Sequence, residues 1–169
     1  MTKRALPTFW LTLLGLPMLT AAWPATGAPA PAAIAVAGKT IVATFHAEGA
    51  QVYACKAGGD GKLAWVFREP IATLILGGQT VGRHYAGPIW EHMDGSTVTG
   101  KVVGTAAGAT AADVPWLKLD IVNRRGAGMM ADVTGIQRIN THGGVLSGMC
   151  ETAGAFRGVP YSADYVFWR

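Results

Sequence analysis

The stretch HYAGPIWEHMDGS, His84–Ser96, is the densest run of chemistry-capable side chains in this chain of 169 residues. It holds two histidines, a tryptophan, a glutamate and an aspartate. A histidine and a glutamate in one cleft could act as acid and base, which makes His84 and Glu91 the catalytic candidates. His84, Glu91 and His92 are also possible metal ligands. Glu91 and Asp94 are a possible carboxylate pair for glycoside hydrolysis, which needs two carboxyls flanking a cleft at about 5–9 Å. Trp90, with Tyr85 close by in the chain, could instead stack on a sugar or another flat ligand.

Strand geometry sorts these readings. Asp94–Gly95 is a strong two-residue hairpin signal between IWEHM and STVTGKVVG. With such a turn Met93 faces Ser96, His92 faces Thr97, Glu91 faces Val98 and Trp90 faces Thr99. Side chains alternate, so Ile89, Glu91, Met93, Val98 and Val102 share one face. Trp90, His92, Thr97, Thr99 and Lys101 share the other. The first face is the more apolar and is expected to be the core. Glu91 then points inward, with Arg83, Arg138 or His84 as partner, because a buried carboxylate needs a counter-charge or goes neutral. Trp90 points outward unless a second sheet or loop covers it. Glu91 and His92 diverge and cannot easily share an ion, so no metal site is expected. Asp94 has a sufficient role in the turn.

Other constellations are thinner. IQRIN places Arg138 and Asn140 on one face, where they could line a polar pocket or satisfy nearby backbone. Ser147, Ser162, His142 and Asp164 could be written as a nucleophilic triad, but no G-x-S-x-G elbow is present. The glycine-rich GGDG and GGQTVG precede no helix, so phosphate cradling is not indicated and no cofactor is implied.

Hydrophobic residues make up 50% and charged residues 14% of the chain, so a packed core is expected. Lys3 and Arg4 precede an apolar run, Ala5–Ala22, that is followed by small residues. This is the pattern of a secretory signal peptide spanning residues 1–27, with cleavage after Ala22 or after Gly27. Residues 28–38 read as a linker, and residues 39–169 as a single domain. Without Lys3 and Arg4 the chain keeps 12 basic and 10 acidic residues, a net of +2. That modest, scattered charge argues against nucleic acid as a partner, and the mature chain has no membrane-spanning run. Cys55 and Cys150 are the only cysteines. In an exported protein they are expected to form a disulfide.

Short apolar runs separated by glycine-rich breaks dominate the mature chain, and no amphipathic helix of ten residues is evident. The expected strands include Lys39–Phe45, Ala50–Lys56, Lys62–Arg68, Ala72–Leu76, Val114–Val122, Ala131–Asn140 and Ser162–Trp168. In VPWLKLDIV, Leu117, Leu119 and Ile121 alternate with Trp116, Lys118 and Asp120, the mark of a half-buried antiparallel strand. About eight to ten strands fit an all-β antiparallel sandwich or closed barrel.

Three segments together carry a family resemblance: GAQVYACK with WVFREPIATL, then GRHYAGPIWEHMDGSTVTGKV, then VPWLKLDIV, GIQRINTHGG and VPYSADYVFW. Their arrangement resembles an exported bacterial and fungal family, domain of unknown function 3455. The resemblance covers the chain from about Gly49 onward. It implies export and cysteines at Cys55 and Cys150, and no established activity. His92 and His142 depart from that pattern.

Two functions remain. The first is an exported, non-enzymatic binding or surface module for a saccharide or cell-envelope component, with Trp90, Tyr85, Arg138 and Asn140 as candidate contacts. The second is a hydrolase using Glu91 and His84 as an acid/base pair. Binding is favoured, since no catalytic motif stands out.

Overall fold

The computed structural model describes residues 30–169, and the signal-peptide assignment lies outside the described residues. Period-two alternation of apolar and polar residues builds eight antiparallel strands: β1 Ile41–Ala57, β2 Leu63–Leu76, β3 Gln79–Tyr85, β4 Ile89–His92, β5 Thr97–Ala106, β6 Trp116–Arg125, β7 Gly135–Gly143 and β8 Phe156–Trp168. Each strand pairs with its successor, and β1 pairs with β8 to close a barrel. Of the two all-β forms expected, the barrel is the one adopted, and closure leaves no free sheet edge.

β1 and β2 are longer than the separate runs expected from their glycine and proline. Gly49 lies inside β1, and a Cβ there would stand 2.0 Å from the Ile71 carbonyl oxygen. Gly49 therefore permits a close crossing of β1 over β2 rather than ending a strand. Pro70 lies inside β2, beside a bulge: Val52 pairs with Glu69 and Tyr53 with Phe67, so Arg68 is the extra residue. A bulge is where a strand tolerates proline, and it re-aims the neighbouring side chains.

The interior holds Phe45, Ala47, Leu74, Trp90, Val98, Leu119, Ile136, Tyr165 and Phe167. Leu119 is buried, and Leu117 and Ile121 pack beside it, as the alternation in β6 implies. One end of the barrel is filled by the β6–β7 loop, whose Met130 and Val133 join the core. Asp94 ties that loop down. Its carboxylate accepts the Met129 N–H (2.8 Å), the Ser96 N–H (2.9 Å) and the Ser96 hydroxyl (2.6 Å). These bonds hold the Asp94 carboxyl well below the usual range, the Ser96 hydroxyl contributing most.

Residues 30–38, within the expected linker, lie against the barrel wall. Ile34 is fully buried, its carbonyl accepts a 2.6 Å bond from Gln137 Nε2, and the Ala35 carbonyl accepts one from Lys118. Cys55 and Cys150 form a disulfide that fastens the β7–β8 loop to the end of β1. No helix among the described residues is long and apolar enough to cross a membrane.

A candidate ligand site in the barrel mouth

The β4–β5 hairpin decides where the opening residues go. Trp90 pairs with Val98 and Glu91 with Thr97, one residue away from the register expected for a two-residue turn. The loop is instead Met93-Asp94-Gly95, closed by Gly95 N–H to the His92 carbonyl and by His92 N–H to the Ser96 carbonyl. Gly95 has φ 84°, the left-handed residue that a three-residue bulged loop requires. A one-residue slip exchanges cross-strand partners. Val98 lies in the core as expected, but Trp90, expected to point outward, joins it there, and Glu91, expected to point inward, does not. Trp90 is 1% exposed, whereas the Glu91 side chain is 27% exposed on the outer wall.

Glu91 belongs to an outer cluster. Arg83 pairs with it at 3.0 Å, and the Tyr85 hydroxyl donates to it at 2.8 Å. Arg83 also lies 5.1 Å from the Tyr85 ring centroid. The hydrogen bond raises the Tyr85 pKa and, with Arg83, lowers that of Glu91. His84 is next to Arg83 in β3 and so faces the interior, where it is 3% exposed. Glu91 and His84 thus occupy opposite sides of one sheet and share no cleft. His92 stacks on Phe45 and contacts Asp94 at 2.9 Å, while Asp164 bonds His46 and Asn140. No group of three potential metal ligands is found among the described residues.

The inward-facing residues meet at the end of the barrel opposite Met130. A cavity of about 400 Å³ opens there, between the β3–β4 turn and the loops that follow β5 and β7. His84 stacks on Trp90 with centroids 4.2 Å apart, and Tyr165 meets both rings edge-on. These rings line the cavity with Leu117, Leu119, Val102 and Val145. Gly100 leaves room for the indole, since a Cβ there would stand 3.1 Å from Trp90 Cζ3. The Arg68 bulge brings Phe67 to the same side, edge-on to Tyr53 at 5.7 Å. Phe67 is 50% exposed at the mouth.

Polar groups in this lining are few. His84 Nδ1 lies 2.9 Å from the Ile89 carbonyl, which can only accept, so Nδ1 carries the proton and Nε2 is an acceptor. Burial lowers the His84 pKa to about 3, with a smaller contribution from the Arg138 charge, so the ring is neutral at physiological pH. Arg138 lines the cavity, as one reading of its face expected. Asn140 does not share that face: it has φ 50° next to a register shift in β7 and bonds Asp164 outside. Gln51 and Tyr165 also line the cavity and were not singled out in the sequence. Gln51 alternates with Tyr53 in β1, and inward polar residues of this kind are the one signal that points to them.

A family model described as a protein of unknown function (DUF3455) matches residues 36–80 and 75–169. No curated protein and no solved structure is found to match.

Proposed function

The chain belongs to the DUF3455 family of proteins of unknown function, and we propose that its barrel binds a small, largely apolar molecule in the mouth lined by Trp90, His84 and Tyr165. One observation carries this: an eight-stranded barrel keeps a cavity of about 400 Å³ at one end while Met130 and Val133 pack into the core at the other. Eight strands give an interior that can hold one small ligand, and sites for small molecules run from about 300 to 1,000 Å³. The half-exposed Phe67 extends the apolar lining outward to the rim.

Binding is favoured over turnover. Among the described residues that line the cavity none is Asp, Glu, Ser, Thr or Cys. His84 is neutral and stacked, and Glu91 lies across the sheet from it. A saccharide is the weaker fit. Its recognition needs a bare aromatic face and many hydrogen-bonding groups, whereas Trp90 is covered by His84 and the lining is largely apolar.

Export belongs to the same proposal. The leader-like residues 1–27 and the Cys55–Cys150 bond both suit an oxidising compartment. Mass spectrometry of the protein recovered outside the cytoplasm should show a new N-terminus after Ala22 or Gly27. An intact Met1 terminus there would contradict the leader.

The binding proposal is tested with N-phenyl-1-naphthylamine, a neutral apolar dye. We expect saturable 1:1 fluorescence enhancement that is lost in Leu117→Trp, which fills the cavity. Dye binding unaffected by that variant, or saturable binding of an oligosaccharide in place of the dye, would overturn it.

A further inference from the structure

Among the described residues that line the cavity, Arg138 is a cation with no counter-charge. It stands in β7 between Leu117 of β6 and Tyr165 of β8, on the wall of the cavity. Its Nε and Nη2 both donate to the Pro115 carbonyl, at 3.0 and 2.8 Å. Those two bonds fix the guanidinium plane, but a carbonyl is a dipole and supplies no counter-charge. No carboxylate pairs with Arg138 among the described residues. A guanidinium has five N–H donors in a planar fork, and the Pro115 carbonyl engages only two of its nitrogens.

The remaining polar lining holds donors and acceptors but no anion. Gln51 Nε2 and Trp90 Nε1 are buried donors without a hydrogen bond, as are Trp116 Nε1 and Trp168 Nε1 outside the cavity. Unpaired buried donors are rare enough to ask for an explanation. The other lining cation, Arg68, is already committed: it pairs with Glu69 at 3.2 Å and lies 4.8 Å from the Phe156 ring centroid. His84 is uncharged. The cavity wall therefore presents one positive charge without an anion, in a lining that is largely apolar.

We infer that the ligand is an amphipathic organic acid, its carboxylate held by the free edge of the Arg138 guanidinium and its apolar body laid against Val102, Leu117, Leu119 and Val145. This rests on the cavity being the binding site. A planar two-oxygen acceptor matches the guanidinium fork, and the bound anion supplies the missing counter-charge.

Two matched pairs test it by calorimetry at pH 7: 2-naphthoate with 2-naphthamide, and decanoate with decanamide. Each pair keeps the apolar body and changes only the charge of the head group. We expect the better-binding acid to bind at least tenfold more tightly than its amide. Arg138→Gln should bring that acid down to the level of the amide, and Arg138→Lys should restore part of the difference. The acid and amide comparison in the unaltered protein needs no variant to fold. Equal affinity of acid and amide in both pairs would overturn the inference, and dye binding would still uphold the cavity. Failure of all four compounds together with the neutral dye would overturn both. A tenfold preference that survives in Arg138→Gln would place the carboxylate elsewhere and overturn the role of Arg138.

Discussion

Trp90 and Glu91 are neighbours in the chain with opposite surroundings. Trp90 is buried between His84 and Tyr165, so truncating it removes a large packed ring. Trp90→Ala should cost about 3–5 kcal/mol in urea unfolding. Glu91→Gln perturbs an outer pair of Arg83 and Tyr85, and exposed ion pairs contribute about 1 kcal/mol or less. The reverse ranking would contradict the faces assigned to β4. His84 makes a second residue-level claim. Burial lowers its pKa from the ordinary histidine value of 6.5 to about 3 in the fold. Between those values the unfolded chain binds more protons than the fold, so stability rises with pH and is lost as pH falls from 6.5. The slope attributable to His84 approaches about 1.4 kcal/mol per pH unit. His84→Phe, which keeps a ring against Trp90 but cannot titrate, should start less stable and flatten that slope above pH 5. An unchanged slope would show that His84 is not buried as a neutral ring.

At the scale of the elements, the sequence was most informative where alternation was uninterrupted. Leu117, Leu119 and Ile121 announced their face of β6, and they occupy it. It misled at glycine and proline. Asp94-Gly95 suits a two-residue turn, yet Gly95 also suits the left-handed position of a three-residue loop. The two differ by one residue, enough to exchange the partners of a whole strand. Gly49 and Pro70 read as breaks, but one permits a close strand crossing and the other sits beside a bulge. Gly49→Ala should therefore destabilise the fold by about 1–3 kcal/mol, the range for overpacking. Unfolding at native-like stability would mean that β1 and β2 do not cross as closely as described. The disulfide acts on the β7–β8 loop beside Val145. Replacing Cys55 and Cys150 by alanine should cost about 2–5 kcal/mol, read as a fall in the unfolding midpoint. An unmoved midpoint would remove the disulfide from the account of stability.

At the scale of the whole molecule, the choice between sandwich and barrel was not legible, because it depends on β1 meeting β8 across almost the entire domain. The cavity was hidden for the same reason. Gln51, His84, Trp90, Arg138 and Tyr165 come from five different strands, and only closure brings them together. Local pattern could show that Arg138 is polar on a mostly apolar face. It could not show that the strands across the barrel bring a stacked His84 and Trp90 to the same cavity or that Met130 and Val133 join the core at the far end. The fold thus turns a run of reactive side chains into two separate features: an ion cluster on the outer wall, and one arm of an apolar pocket within.

The most direct measurement is a two-dimensional NMR titration of the isotopically labelled protein with 2-naphthoate, following the indole and guanidinium N–H signals. Saturable shifts should fall on Trp90 Nε1–H and Arg138 Nε–H, with little change at Trp168, which does not line the cavity. Saturable shifts confined to the Arg83 guanidinium, or saturation with Trp90 and Arg138 unmoved, would contradict a ligand site inside the barrel mouth.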